Sequence, residues 1–211
     1  MNKSGDQNRS VRNTKRKLKE ALLTLMKEKS INEITAKELA EMTDLNRGTF
    51  YFHYSDVYDL LEKIEDEFFR DFDKMVKDIP SEQDMKQRFT AILVYIRENR
   101  DFCRIMLGKN GDVSFLRRIR KLVEEVCCRS WREKFAAVDA HKESMYNAFI
   151  IYGFLGVVQR WLDDGTEDTP ERLSEIAETI ITSSVDKCLL GECNHNRSSD
   201  LRTVKKPKES C

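Results

Sequence analysis

Between Thr35 and Tyr54 the chain gathers side chains suited to a polyanion and to the edges of flat rings: Lys37, Arg47, Thr49, Tyr51 and His53. Arg47 can make a bidentate contact to guanine or pair with a phosphate. Thr49 and Tyr51 offer hydroxyls, and His53 a ring donor, to a phosphate backbone. Phe52 can touch a thymine methyl. Phe50 and Tyr54 are read as core aromatics. Phe52 is read as exposed, because Phe50 two positions earlier points the other way on a helix.

Such contacts need a short helix held against a groove about 12 Å wide, and the neighbouring sequence supplies the elements. Ser10 can cap a first helix with Val11, Leu18, Ala21, Leu22, Leu25 and Met26 on one face. Thr35-Ala36-Lys37-Glu38 reads as a capping box opening a second helix, about Ala36 to Met42, that buries Leu39 and Ala40. Thr43-Asp44-Leu45 is a turn, and Asn46 caps a third short helix carrying Arg47 to Phe52. Ser55 and Asp56 open a long helix striped by Val57, Leu60, Leu61, Ile64, Phe68, Phe72 and Met75. Two short helices joined by a tight turn, behind a basic helix, form the pattern of a helix-turn-helix reader.

Helical spacing of apolar residues continues to about residue 190, and no convincing run alternates with period two, so the fold class is all-α. Helices are predicted over 81–99, 99–107, 113–135 and 143–163, with a loop at 108–112 and a break at 139–141 in which His141 is solvated. Thr169-Pro170 opens the last helix. The 143–163 helix is apolar over more than one face, which predicts burial and a homodimer through about residues 143–189. Gly153 and Gly156 allow close helix approach. The expected organisation is a flexible basic arm at 1–9, a helix-turn-helix DNA-binding domain at 10–56, a helical domain at 57–190 that includes the dimerisation helices, and a disordered tail at 191–211.

The total of 37 Lys+Arg against 37 Asp+Glu hides an uneven distribution. Residues 1–55 hold 11 basic and 7 acidic side chains, residues 56–190 hold 21 and 27, and residues 191–211 hold 5 and 3. A basic head on an acidic body suits contact with nucleic acid confined to the head. The longest apolar stretch, near Ala148–Val158, is too short for a membrane span. The polar Met1–Ser10 has no signal-peptide core, so the expected location is cytoplasmic. Six cysteines in a chain with an ample core read as free thiols. Cys188, Cys193 and His195 match no standard zinc spacing, so neither metal nor cofactor is expected. No nucleophile–base pair or glycine-rich phosphate loop argues for an enzyme.

Ile34-Thr35-Ala36-Lys37-Glu38-Leu39-Ala40, then Asn46-Arg47-Gly48-Thr49-Phe50-Tyr51-Phe52-His53-Tyr54, then Asp59-Leu60-Leu61, closely resembles the TetR family of bacterial transcription regulators. The resemblance covers about residues 10–65. The Arg-Gly-Thr-Phe-Tyr and His-Tyr wording, with Trp161-Leu162, is most similar to a branch common in Firmicutes. It implies that Thr35 and Lys37, with Ala36 between them, meet phosphate at the start of the second helix. It also implies that Asn46, Arg47 and Thr49 enter the major groove and that Tyr51 and His53 hold phosphates. Gly48 would let the backbone come close to DNA. One position departs: Val57 stands where the family commonly has a phosphate-contacting Lys, and the basic arm or helix amide ends could substitute.

The resemblance implies a sequence-specific regulator of double-stranded DNA, reading a palindromic operator as a homodimer and acting as a repressor released by a small-molecule effector, with that effector bound in the domain at 57–190. The effector pocket is expected around Phe89, Tyr95, Phe102, Met106, Phe149 and Trp161, chosen for aromatic and sulfur content. The alternative is a family-shaped helical co-activator or adaptor that binds a protein partner and has lost operator binding.

Overall fold

A computed structural model describes residues 3–79, 85–128 and 140–191. All regular structure among them is helical: α1 (Lys3–Met26), α2 (Ala36–Thr43), α3 (Arg47–His53), α4 (Val57–Asp78), α5 (Met85–Glu98), α6 (Arg100–Leu107), α7 (Val113–Cys128), α8 (Ala140–Asp163) and α9 (Pro170–Gly191), with a 3-10 turn at Ile31–Glu33.

The head is α1 to α3 closed by the start of α4. Leu18, Leu22 and Met26 of α1, Leu39 of α2, Phe50 of α3 and Leu60 of α4 are all but sealed from solvent. Helix α1 starts at Lys3 rather than at Ser10, so residues 3–9 continue the helix. Once a helix is nucleated each further turn adds a hydrogen bond per residue, and nothing before Ser10 supplies a proline stop.

The long α4 leaves the head and enters the body, where α5 packs on α9 and α8 packs on α6 and α7. Phe68, Phe69 and Phe72 of α4 meet Tyr95, Phe102 and Phe115 in one aromatic cluster with ring centroids 5.0 to 6.4 Å apart. Phe89 of α5 stacks on Phe154 of α8 at 4.9 Å. Thr90 and Ser174 share a hydroxyl contact of 2.7 Å between α5 and α9. Thr169 accepts from Arg172 N ahead of Pro170, as the cap-then-proline pattern predicts.

His141 lies in the first turn of α8 rather than in a loop, because the helix begins three residues before Glu143. Burial of α8 is also narrower than its composition predicts. Ile150, Ile151, Phe154, Val158, Trp161 and Leu162 face inward, while Met145, Phe149 and Tyr152 are exposed. The expected 81–84 and 129–135 helix extensions and the 192–211 tail lie outside the described residues, as do the side chains of Cys127, Cys128, Cys188, Cys193, His195 and Cys211. No helix among the described residues is long and apolar enough to cross a membrane.

Candidate nucleic-acid interface

Local chemistry builds α2, the turn and α3 almost entirely. Thr35 is extended and its hydroxyl accepts from Glu38 N at 3.2 Å. The expected return bond from Glu38 is absent: its carboxylate takes Lys29 Nζ at 2.6 Å instead, since that cation lies within reach once α1 packs against α2. Asp44 adopts the left-handed conformation (φ 55°) that ends α2, and Leu45 N donates to Ala40 O at 2.9 Å. Asp tolerates this conformation better than most residues. Asn46 caps α3, its Oδ1 accepting from Gly48 N at 2.8 Å. That bond uses the carbonyl of Asn46 and leaves its NH2 as the group able to face a groove.

Phe50 and Tyr54 pin α3 inward, at 0% and 6% exposure. The opposite side carries Arg47, Gly48, Tyr51 and Phe52, with Tyr51 59% and Phe52 80% exposed. Thr49 and His53 are half-buried at its margin, and Thr35 and Lys37 are exposed at the start of α2, with Ala36 half-buried between them. A Cβ placed on Gly48 would meet nothing nearer than Asn46 Oδ1 at 3.4 Å. No contact inside the chain therefore demands glycine there. Burial, then the charge of Lys15, holds the His53 imidazole below its ordinary range, favouring the neutral ring.

Val57 is buried in the head core, so the side chain at this position faces away from any ligand. At the start of α4, Asp56 accepts from Asp59 N at 2.8 Å and Asp59 accepts from Ser55 N at 2.9 Å, so two carboxylates stand there. A groove of about 260 Å³ beside α3 is lined by Arg12, Lys15, Arg16 and Lys19 of α1 with Tyr54, Lys63, Ile64 and Glu67. Lys63 donates to Asp59 at 2.9 Å and sits 5.0 Å over the Tyr54 ring. Arg16 pairs with Glu20 and Lys19 with Glu67. Nothing in the local spacing marks Lys63, which joins this group only because α4 crosses behind α1.

The six residues expected around the effector pocket lie in unlike surroundings. Phe89, Phe102, Met106 and Trp161 are buried core. Trp161 donates its indole N–H to Asp168 O at 2.9 Å, and Tyr95 donates its hydroxyl to Phe68 O at 2.8 Å. Phe149 is 66% exposed on the outside of α8. An enclosed apolar cavity does exist, of about 20 Å³, walled by Phe68, Phe72, Cys103, Phe115, Ile119 and Phe154 among others, and none of the six lines it. Aromatic content marks core and cavity alike, so it does not separate them. Burial pushes the Cys103 thiol up to about 12, which keeps this wall uncharged.

A family model described as a transcriptional regulator C-terminal region, of the TetR type, matches residues 83–183. The uncharacterised HTH-type transcriptional regulator YxbF of Bacillus subtilis (strain 168) is 24% identical over 199 residues, spanning 89% of this chain and 51% of YxbF. The chain thus spans about half the length of that curated relative. A TetR transcriptional regulator from Streptococcus agalactiae 2603V shares the fold at TM-score 0.63 and 23% identity, over 84% of this chain and 98% of the other. So does the fatty acid degradation regulator FadR from Bacillus halodurans, at TM-score 0.59 and 13% identity over 80% and 94%. FadR from Bacillus subtilis, solved in complex with stearoyl-CoA, follows at TM-score 0.56 and 10% identity over 78% and 96%. The body thus matches a TetR-type C-terminal family model, most of the chain resembles an HTH-type transcriptional regulator, and a solved TetR regulator shares the all-helical fold with its head of two capped short helices behind a basic one.

Proposed function

We propose that the chain reads a palindromic DNA operator as a homodimer and represses transcription until a small-molecule effector releases it. The observation that carries this is the outer side of α3: Arg47, Tyr51 and Phe52 project from a helix capped by Asn46 and anchored by Phe50. Arg47 and Thr49 read base edges, Tyr51 and His53 hold phosphate, and Gly48 admits the DNA backbone. Lys37 and the α1 cations Arg12 and Lys15 supply the phosphate contact that Val57 does not. The α8 face of Met145, Phe149, Tyr152, Gly153 and Gly156, continued by Ile176 and Ile180 of α9, pairs with its copy. Pairing there sets two α3 helices about 34 Å apart, one turn of DNA.

The effector presents an apolar body, because the cavity walls offer no polar surface. The present cavity, about 20 Å³, has room for about one water molecule, so binding of anything larger must spread α6 and α7 from α4. An effector that favours the spread state loses affinity when DNA is bound, by the same factor it weakens DNA.

A gel shift against the protein's own upstream region tests the reading. A specific duplex should bind below micromolar in moderate salt, and failure to find one defeats the proposal. Arg47→Ala should weaken the specific duplex by roughly 1–3 kcal/mol and random DNA by much less. An equal loss on both would make Arg47 a phosphate contact.

A further inference from the structure

Glu65 stands apart from the other acids of α4. It is 3% exposed, on the side of the helix that takes Phe68, Phe69 and Phe72 into the body. Its Oε1 is buried with no hydrogen-bond partner among the described residues. Its Oε2 lies 3.8 Å from Arg118 Nη1 of α7, beyond hydrogen-bond reach. Arg118 makes its short contact to Asp66, at 2.9 Å, and lays its guanidinium 4.0 Å over the Phe69 ring. One cation thus serves two adjacent carboxylates and closes on only one. The charged groups facing Glu65 are Arg118 from α7, Asp112 from the loop before α7, and Asp66 and Glu62 from α4 itself. A buried carboxylate in these surroundings is stable when neutral, or when an ion pair closes fully on it. Burial first, then Asp112, push its carboxyl up to about 7 against the pull of Arg118.

The loop leading into α7 ties this pair to the head. Asp112 caps α7, accepting from Ser114 N at 2.7 Å and Phe115 N at 3.1 Å. Asn110 Nδ2 reaches the carbonyls of Met26 and Lys27 at the end of α1, each at 3.4 Å. The loop is tight: a Cβ on Gly111 would fall 2.0 Å from Met106 O, and one on Gly108 2.7 Å from Arg104 O. It therefore has little slack to absorb a shift. Helix α7 also supplies Phe115 and Ile119 to the cavity wall, flanking Arg118 in sequence. Moving α7 changes the Arg118–Glu65 separation and pulls on the end of α1 through the same loop.

We propose that Glu65, Arg118 and Asp66 form a proton-sensitive latch between α4 and α7, which acts through the Asn110 loop on the end of α1. With Glu65 protonated, Arg118 rests on Asp66 and α7 stands off. With Glu65 ionised, Arg118 is drawn across to it, α7 moves toward α4, and the head is held differently. The latch rests on the regulator reading for its purpose, but its mechanics stand without DNA.

Amide NMR of the full chain, titrated from about pH 6 to about pH 8, tests the latch. One shared midpoint near neutrality is expected at Glu65, around Arg118 and at residues 26–29. Glu65→Gln should remove it everywhere, and Arg118→Gln should remove it at residues 26–29. A Glu65 midpoint in the ordinary carboxylate range, or a transition that never reaches residues 26–29, overturns the proposal. Affinity for a duplex selected from a random pool is then compared over the same range. The wild type should change by at least about fivefold, a response that Glu65→Gln abolishes and His53→Gln keeps. A response untouched by Glu65→Gln overturns the latch. Failure to bind any duplex counts against the DNA reading alone, and the NMR titration still decides the latch.

Discussion

Phe149 offers a direct measure of how much the outer face of α8 contributes to pairing two chains. It is 66% exposed and shares its helix face with Met145, Tyr152, Gly153 and Gly156. No heavy atom beyond the local helix lies within 4 Å of a Cβ built on either glycine, so another helix can approach closely. An aromatic side chain buries about 150–250 Å² when fully covered. Two thirds of that, at about 25 cal/mol per Å², is about 2.5–4 kcal/mol per protomer. A two-fold interface repeats each contact, so Phe149→Ala removes up to about 5–8 kcal/mol from dimer formation. At tenfold per 1.4 kcal/mol that ceiling corresponds to a rise in the dissociation constant of roughly four to six orders of magnitude. Sedimentation equilibrium over a concentration series measures it directly. The variant should become monomeric at micromolar concentration and keep its helical circular dichroism, because Phe149 is not part of the chain's own core. Val113→Ala, an equally exposed apolar site on α7 (68%), should leave the mass unchanged. A wild type monomeric at micromolar concentration, or a Phe149→Ala dimer as tight as the wild type, would refute the reasoning.

Two further expectations concern the single chain. The Glu65 carboxyl, raised from 4.5 to about 7, binds its proton more tightly in the folded state. This contribution is therefore fully present below about pH 4.5 and lost as pH rises through about 7, and the shift corresponds to about 3 kcal/mol. Glu65→Gln cannot ionise and should flatten that part of the profile in urea unfolding at about pH 5 and about pH 8; an unchanged slope would show that Glu65 titrates normally. Asn46→Ala removes the bond to Gly48 N that starts α3 and should destabilise by about 1 kcal/mol in thermal unfolding. It should also weaken the specific duplex more than random DNA, and equal weakening would remove Asn46 from the groove.

The sequence alone determined what depends on near neighbours along the chain. Thr35 and Asn46 cap α2 and α3 as their types predict, because a cap bond spans only two or three residues. Helical periodicity placed Phe50 inward and Phe52 outward, since α3 is too short and too firmly capped to turn. Only the tertiary structure decided which apolar residues find a partner. Phe149 and Phe154 look alike in sequence, yet one is exposed and the other stacks on Phe89, because α6 and α7, with Phe89 of α5, lie against only one side of α8. Likewise, of the residues chosen for a pocket by aromatic and sulfur content, Phe89, Phe102, Met106 and Trp161 are buried while Phe149 is exposed. Val57, Lys63 and Glu65 on α4 follow the same rule: whether such a side chain is core, part of a basic groove or a stranded buried carboxylate depends on α1 and α7 crossing it. Those contacts join residues about 45 to 55 positions apart, Lys19 to Glu67 and Glu65 to Arg118, and no local spacing encodes them.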